Sequence, residues 1–97
     1  MNAAIVSAIQ NRRVLSLLYK GVTRLVQPHA YGRNTAGHDV LRCYQVAGRH
    51  NSQVSHAWDL LLVSGISGMM ETGEEFTEAA PKYRRGDKGM ASIYAEI

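Results

Sequence analysis

Cysteine is almost missing from this chain of 97 residues, with Cys43 the only one. A single thiol excludes an internal disulfide framework and any thiolate-cluster zinc site, and it fits a reducing compartment. Long apolar runs are missing too: none approaches the roughly 18 residues of a membrane span, and no basic start leads into an apolar stretch at the N-terminus. The expectation is therefore a cytoplasmic chain with neither membrane anchor nor secretory signal. At 10.7 kDa there is no length for a second domain, so residues 1–97 are read as one domain without an interdomain cleft.

Acidic residues are scarce where basic ones collect. Residues 1–58 hold seven Lys or Arg against Asp39 alone, whereas residues 59–97 hold four against seven acids. A chain polarised in this way presents a basic face to an anionic partner, or pairs opposite faces of neighbouring copies. With 45% hydrophobic and 20% charged residues, the composition is that of an ordinary globular protein.

Periodicity sets the elements. Asn2 is a fitting N-cap, and Ile5, Ala8, Ile9 and Arg12 recur at helical spacing, which predicts a helix over 3–13. From Val14 the period falls to two: Leu15, Leu17 and Tyr19 alternate with Ser16 and Lys20, Gly21 interrupts, and Val22, Arg24 and Val26 resume. Pro28 has no N–H for a ladder, so this second strand is expected to end or become an edge there. Gly32–His38 reads as a loop. Over 39–47 a third strand places Leu41, Cys43, Gln45 and Ala47 on a core face, and Val40, Arg42, Tyr44 and Val46 on the other.

Residues 48–56 read as a polar turn, Trp58–Val63 as a fourth strand, and 64–72 as an irregular fifth. Glu74–Lys88 reads as a long surface connection, and Ala91, Ile93, Ala95 and Ile97 as one face of a closing strand. The expected core is Leu15, Leu17, Leu41, Cys43, Leu61, Val63 and Ile93. One helix followed by five or six short strands predicts a mainly β fold, a small barrel plugged by the helix.

The run Ile9, Arg12, Arg13, Leu15, Tyr19, Gly21, Arg24, Val26, Pro28, followed by Leu41–Tyr44 and Trp58–Ile66, resembles the WYL domain. That family is a small Sm/SH3-like β-barrel attached to many bacterial transcription regulators. Where its name-giving triplet would fall this chain reads Asp39, Val40, Leu41, and the family's arginine-rich strand is replaced by Asp59–Gly65, with Ile66 kept. The chain carries no helix-turn-helix segment. The resemblance thus implies a stand-alone member that senses a ligand without catalysing a reaction.

Residue chemistry supports the same class. His29, His38, His50 and His56 lack the close ligand pairs of a zinc site. Cys43 sits on the core face as a small hydrophobe, and Glu71, Glu74, Glu75 and Glu78 crowd a polar, solvated segment. Gly86–Gly89 lacks the spacing of a phosphate-cradling P-loop and reads as a turn. No catalytic residue, metal site or cofactor is assigned. Arg24, Arg42 and Tyr44 on adjacent strands, with His29 and Tyr31 beyond, are the candidate ligand-binding residues. Guanidinium forks take phosphate or carboxylate, and a tyrosine ring stacks on a base; alternatively, Arg24 pairs with Asp39 or Asp59.

The expected ligand is an anionic small molecule, foremost a nucleotide, or a short single-stranded nucleic acid. The competing class is an interaction or self-assembly module in which Trp58, Met69 and Met70 are interface anchors. A third reading is a sequence-tolerant nucleic-acid binder whose basic patch tracks phosphates, distinguished by a steep salt dependence of binding. A homo-oligomer is expected in each case.

Overall fold

The helix is shorter than its sequence period. In the computed structural model, which describes residues 1–48 and 58–97, α1 spans Ala3–Gln10. The Asn2 side chain accepts from the N–H groups of Ala4 (3.0 Å) and Ile5 (3.2 Å), satisfying donors that the first turn leaves free. Ile5, Ala8 and Ile9 face the sheet and are buried. Arg12 adopts φ 51, in the left-handed region, which stops the helix before Arg12 and Arg13 can extend it.

Strand β1 (Arg13–Tyr19) turns into β2 (Val22–Arg33) through Lys20 and Gly21, both at positive φ, the signature of a type I′ hairpin. β3 (Asp39–Gly48) returns antiparallel after a turn in which the Asn34 side chain accepts the His38 N–H. β4 (Trp58–Leu62) passes through one 3-10 turn (Val63–Gly65) into β5 (Ile66–Glu75), and β6 (Ser92–Glu96) closes the chain. The six strands form one antiparallel sheet in the order β4-β3-β2-β1-β5, with β6 also on β2. Among the described residues no ladder joins β4 to β5, so the sheet is not closed by hydrogen bonds.

β2 does not end at Pro28 but is locally an edge there, the second of the two expected outcomes. One of its edges pairs with β3 over nearly the whole length, while the other pairs first with β1 (Val22–Val26) and then with β6 (Ala30–Arg33). Pro28 occupies the gap between those two ladders, where a missing N–H costs little. Pro28 lies opposite Cys43 and Ala30 opposite Arg42, which makes His29 the extra residue of a β-bulge. The bulge breaks the alternation, and His29, Ala30 and Tyr31 are all fully buried.

The main core lies on the inner face, where Ile5, Ala8 and Ile9 of the helix meet Leu15, Leu17, Tyr19, Val26, Tyr31, Leu41, Cys43 and Leu61. Val63 packs against it only partly buried, from the 3-10 turn rather than from a strand. Ile93 corrects the expected core: it is 37% exposed. Tyr31 opposes Ala95 whereas Gly32 opposes Ile93, so Tyr94 is an extra residue that turns its ring onto Tyr31, with centroids 4.9 Å apart. The outer face carries a second cluster of Ala30, Val40 and Met90, and residues 76–91 cross that face as a strap without regular structure. The expected polar turn over residues 49–56, with His50 and His56, lies outside the described residues. No helix among the described residues is long and apolar enough to cross a membrane.

Gly32 is the tightest point of the β2–β6 contact, because a Cβ there would press into the Ser92 carbonyl oxygen and approach the Ile93 Cα at 3.1 Å. Both obstacles are backbone and cannot swing aside. Gly32→Ala is expected to destabilise the fold by about 1–3 kcal/mol, a drop of at least several degrees in Tm on thermal denaturation. An unchanged Tm would mean that β6 is not seated on β2 as described.

Candidate anion-binding site

The two strand arginines lie on opposite faces of the sheet. Arg24 opposes Leu17 in the β1–β2 ladder and so points inward; Arg42 opposes Ala30 and points outward. Arg24 is 3% exposed, stacks over the Tyr19 ring at 5.4 Å and bonds Asp59 at 3.2 Å. Its charge is thus enclosed on the inner face, between the Tyr19 ring and Asp59. The single basic face expected from Arg24, Arg42 and Tyr44 therefore does not form.

His29 and Tyr31 are likewise structural. The Gln27 carbonyl, 2.8 Å from Nδ1, can only accept a hydrogen bond, and the Ala80 N–H, 2.9 Å from Nε2, can only donate one. These partners fix a neutral imidazole with its proton on Nδ1. Around the ring stand Trp58 (4.9 Å, edge-on), Phe76 (5.4 Å, stacked) and Tyr83 (5.0 Å, tilted). Burial lowers the His29 pKa, opposed in part by the Gln27 carbonyl. Tyr31 accepts from the Asn2 N–H at 2.7 Å, tying the start of the helix to β2, and it shares Asp39 with Tyr94.

Arg42 and Tyr44 do reach the outer face. Arg42 holds Asp87 in a fork, with Nε to Oδ2 at 2.7 Å and Nη2 to Oδ1 at 3.2 Å, while the Gly89 N–H donates to the same Oδ1 at 2.8 Å. The Asp87 carboxyl is held below the usual carboxylate range, chiefly by Arg42, against a smaller opposing effect of burial. A Cβ on Gly89 would lie 3.2 Å from Asp87 Oδ1 and 3.4 Å from Arg42 Nη2, so the absence of a side chain lets the loop close on the pair. Tyr44 pairs across strands with Trp58, ring centroids 5.1 Å apart, and Trp58 donates its indole N–H to the Pro81 carbonyl at 2.8 Å. Trp58 is thus a half-buried clamp on the strap rather than a free interface anchor.

Between Arg42, Trp58 and the strap lies a cavity of about 580 Å³, whose lining adds Lys82, Tyr83, Arg84, Arg85, Asp87 and Lys88. Lys82 at φ 66 reverses the chain so that the following residues double back over Arg42. Arg85 is paired with Glu96 at 3.1 Å and Arg42 with Asp87, whereas Lys82, Arg84 and Lys88 are exposed and form no ion pair among the described residues. The sequence reading missed this group because it summed charge over 59–97, where Glu71, Glu74, Glu75 and Glu78 mask it. The signal was local: four cations and one acid lie within residues 82–88. The Gly86–Gly89 segment is a turn, as read, but its Asp87 orders the cavity wall.

Among the described residues no group of three or more His, Cys, Asp or Glu could hold a metal ion. Cys43 is fully enclosed, and burial pushes its thiol up to about 12. Comparison with family models, with curated proteins and with solved structures gave no match.

Two outcomes follow from this geometry. Because the fold holds His29 below its ordinary value of 6.5, the unfolded chain binds the extra proton in the window between the lowered value and 6.5. The His29 contribution to stability is complete above that window and is lost as the pH falls through it. Tm measured from pH 7.5 to 5 is expected to fall, and to fall less steeply in His29→Gln, whose side-chain oxygen accepts from the Ala80 N–H without titrating. Equal slopes would contradict the lock. Arg24→Ala is expected to cost about 2–4 kcal/mol in denaturant melts, discounted because Asp59 is partly exposed, and to leave the affinity of the folded protein for anions unchanged. Weakened binding by folded Arg24→Ala would contradict its placement.

Proposed function

We propose that this protein is a non-catalytic, WYL-like binding module that takes an anionic ligand of nucleotide size in the cavity beneath residues 82–88. The observation that carries the reading is the convergence of Arg42, Lys82, Arg84, Arg85 and Lys88 with the rings of Trp58 and Tyr83 around one cavity of about 580 Å³. That volume suits a small ligand. Guanidinium and ammonium groups take its phosphates, and an aromatic ring takes the face of a base.

A four-strand meander, β1 to β4, from which the chain returns through a 3-10 turn to lay β5 on β1, supports an Sm/SH3-like barrel as the finer description of the open sheet. The sensing role rests on the WYL resemblance. A nucleotide is favoured over a nucleic-acid strand because the cations and rings meet in one cavity rather than along a groove, and calorimetry with a short single-stranded DNA beside a nucleotide panel separates the two.

The competing reading, a self-assembling interaction module, draws on Met70, which is 64% exposed on β5; Met69 beside it packs partly buried against the core. Homo-oligomerisation is proposed on that patch, and light scattering tests it against the monomer mass of 10.7 kDa.

Arg84→Ala and Lys88→Ala remove exposed charges without touching the core, and each is expected to weaken nucleotide binding about threefold to tenfold while leaving Tm unchanged, since a charge-assisted contact contributes on the order of 1 kcal/mol at an exposed site. Arg42→Ala is a poorer probe, because it strips Asp87 of its partner and loosens the loop. Undiminished affinity in both exposed variants would place the ligand elsewhere.

A further inference from the structure

The cavity wall carries its charge unevenly, and the imbalance specifies the ligand further. Of the five cations lining it, Arg42 is neutralised by the fork to Asp87, and Arg85 by Glu96, which also accepts the Gly86 N–H at 3.0 Å. Both carboxylates are committed: Asp87 is held by two guanidinium contacts and the Gly89 N–H, Glu96 by Arg85 and the Gly86 N–H. Lys82, Arg84 and Lys88 remain, three positive charges around one space with no acid among the described residues paired to them. A monophosphate near neutral pH carries at most two negative charges, so it leaves this wall undercompensated. Each further phosphate of a chain brings at least one more charge and additional acceptor oxygens.

Resting on the nucleotide reading above, we infer that the cavity selects a ligand with two or more linked phosphates, a nucleoside di- or triphosphate, over the monophosphate. The division of labour is spatial. Trp58 lies at one side of the cavity, fixed by its bond to the Pro81 carbonyl and by the Tyr44 ring, and presents an apolar surface to the base. Lys82, Arg84 and Lys88, from the exposed loop, close on the phosphate chain. The Arg42–Asp87 pair holds the loop in place and needs no ligand to order it.

The experiment is calorimetric titration of the full chain at low salt, without divalent cations, against AMP, ADP, ATP and inorganic triphosphate. ADP is expected to bind about tenfold tighter than AMP, the worth of one further charge-assisted contact, and ATP at least as tightly as ADP. In Arg84→Ala and Lys88→Ala the preference for ADP over AMP should shrink at least threefold, while AMP affinity changes less. Equal affinity for AMP and ADP would overturn the inference and leave the nucleotide reading standing. Inorganic triphosphate binding as tightly as ATP would uphold the count of phosphates and remove the nucleoside from the reading. Binding of single-stranded DNA with no nucleotide bound overturns the inference, and silence from every probe overturns both.

Discussion

The hydrogen bond from the Ala80 N–H to His29 Nε2 is the contact on which the outer face depends. Residues 76–91 have no ladder of their own: backbone bonds from the Phe76 N–H to the Arg12 carbonyl and from the Ala91 N–H to the Arg33 carbonyl fix the two ends, and side chains hold the stretch between them. The bulge that leaves His29 without a partner on β3 gives the strap a buried acceptor and an aromatic surface at the same place. Tyr83 adds a second tie through its hydroxyl to the Ile97 carbonyl at 3.0 Å, so the strap is fixed both to the sheet and to the end of the chain. With residues 76–83 pinned, the next turn has little choice of path, and Arg42 captures Asp87 to complete it. A neutral histidine suits this task because one ring supplies both a donor and an acceptor.

The sheet separates two kinds of arginine. Arg24 is spent inside, where its stem packs on Tyr19 and its charge meets Asp59; Arg42 is kept outside, where its charge organises a loop. Opposite facing follows from period-two geometry together with the register. In the β2–β3 ladder Arg24 is matched to Gly48, far along the strand from Arg42. On the proposed reading, ligand chemistry therefore belongs to the strap and to the sheet face beneath it.

Much of the fold was legible because periodicity reports burial. Leu15, Leu17, Leu41, Cys43 and Leu61 are in the core as alternation required, and Asn2 caps the helix. Pro28 is locally an edge rather than an end of β2, because the neighbours on one side change from β1 to β6 at that point. What failed were the places where a single residue shifts the period: the extra residues His29 and Tyr94 reverse which side chains face inward. Ile93 was misplaced for that reason alone. Arg42 and Tyr44 share the outer face because they lie on a regular strand, and of the two Arg42 lines the cavity while Tyr44 packs on Trp58. Arg24, His29 and Tyr31, candidates by residue type and position, are enclosed, and of the two readings open for Arg24 the structure shows the pair with Asp59. Lys82, Arg84, Arg85 and Lys88 went unseen because their position depends on long-range contacts of the strap, more than 40 residues distant in sequence for the Arg42–Asp87 pair.

The central claim, that a strap locked by His29 forms the binding site, is tested most directly by following backbone and indole N–H resonances while ADP is added. The account predicts shifts confined to Lys82–Gly89, Arg42 and the Trp58 indole, with the Ala80 N–H protected from exchange throughout. Shifts centred on β1 and β5, or rapid exchange at Ala80, would contradict it.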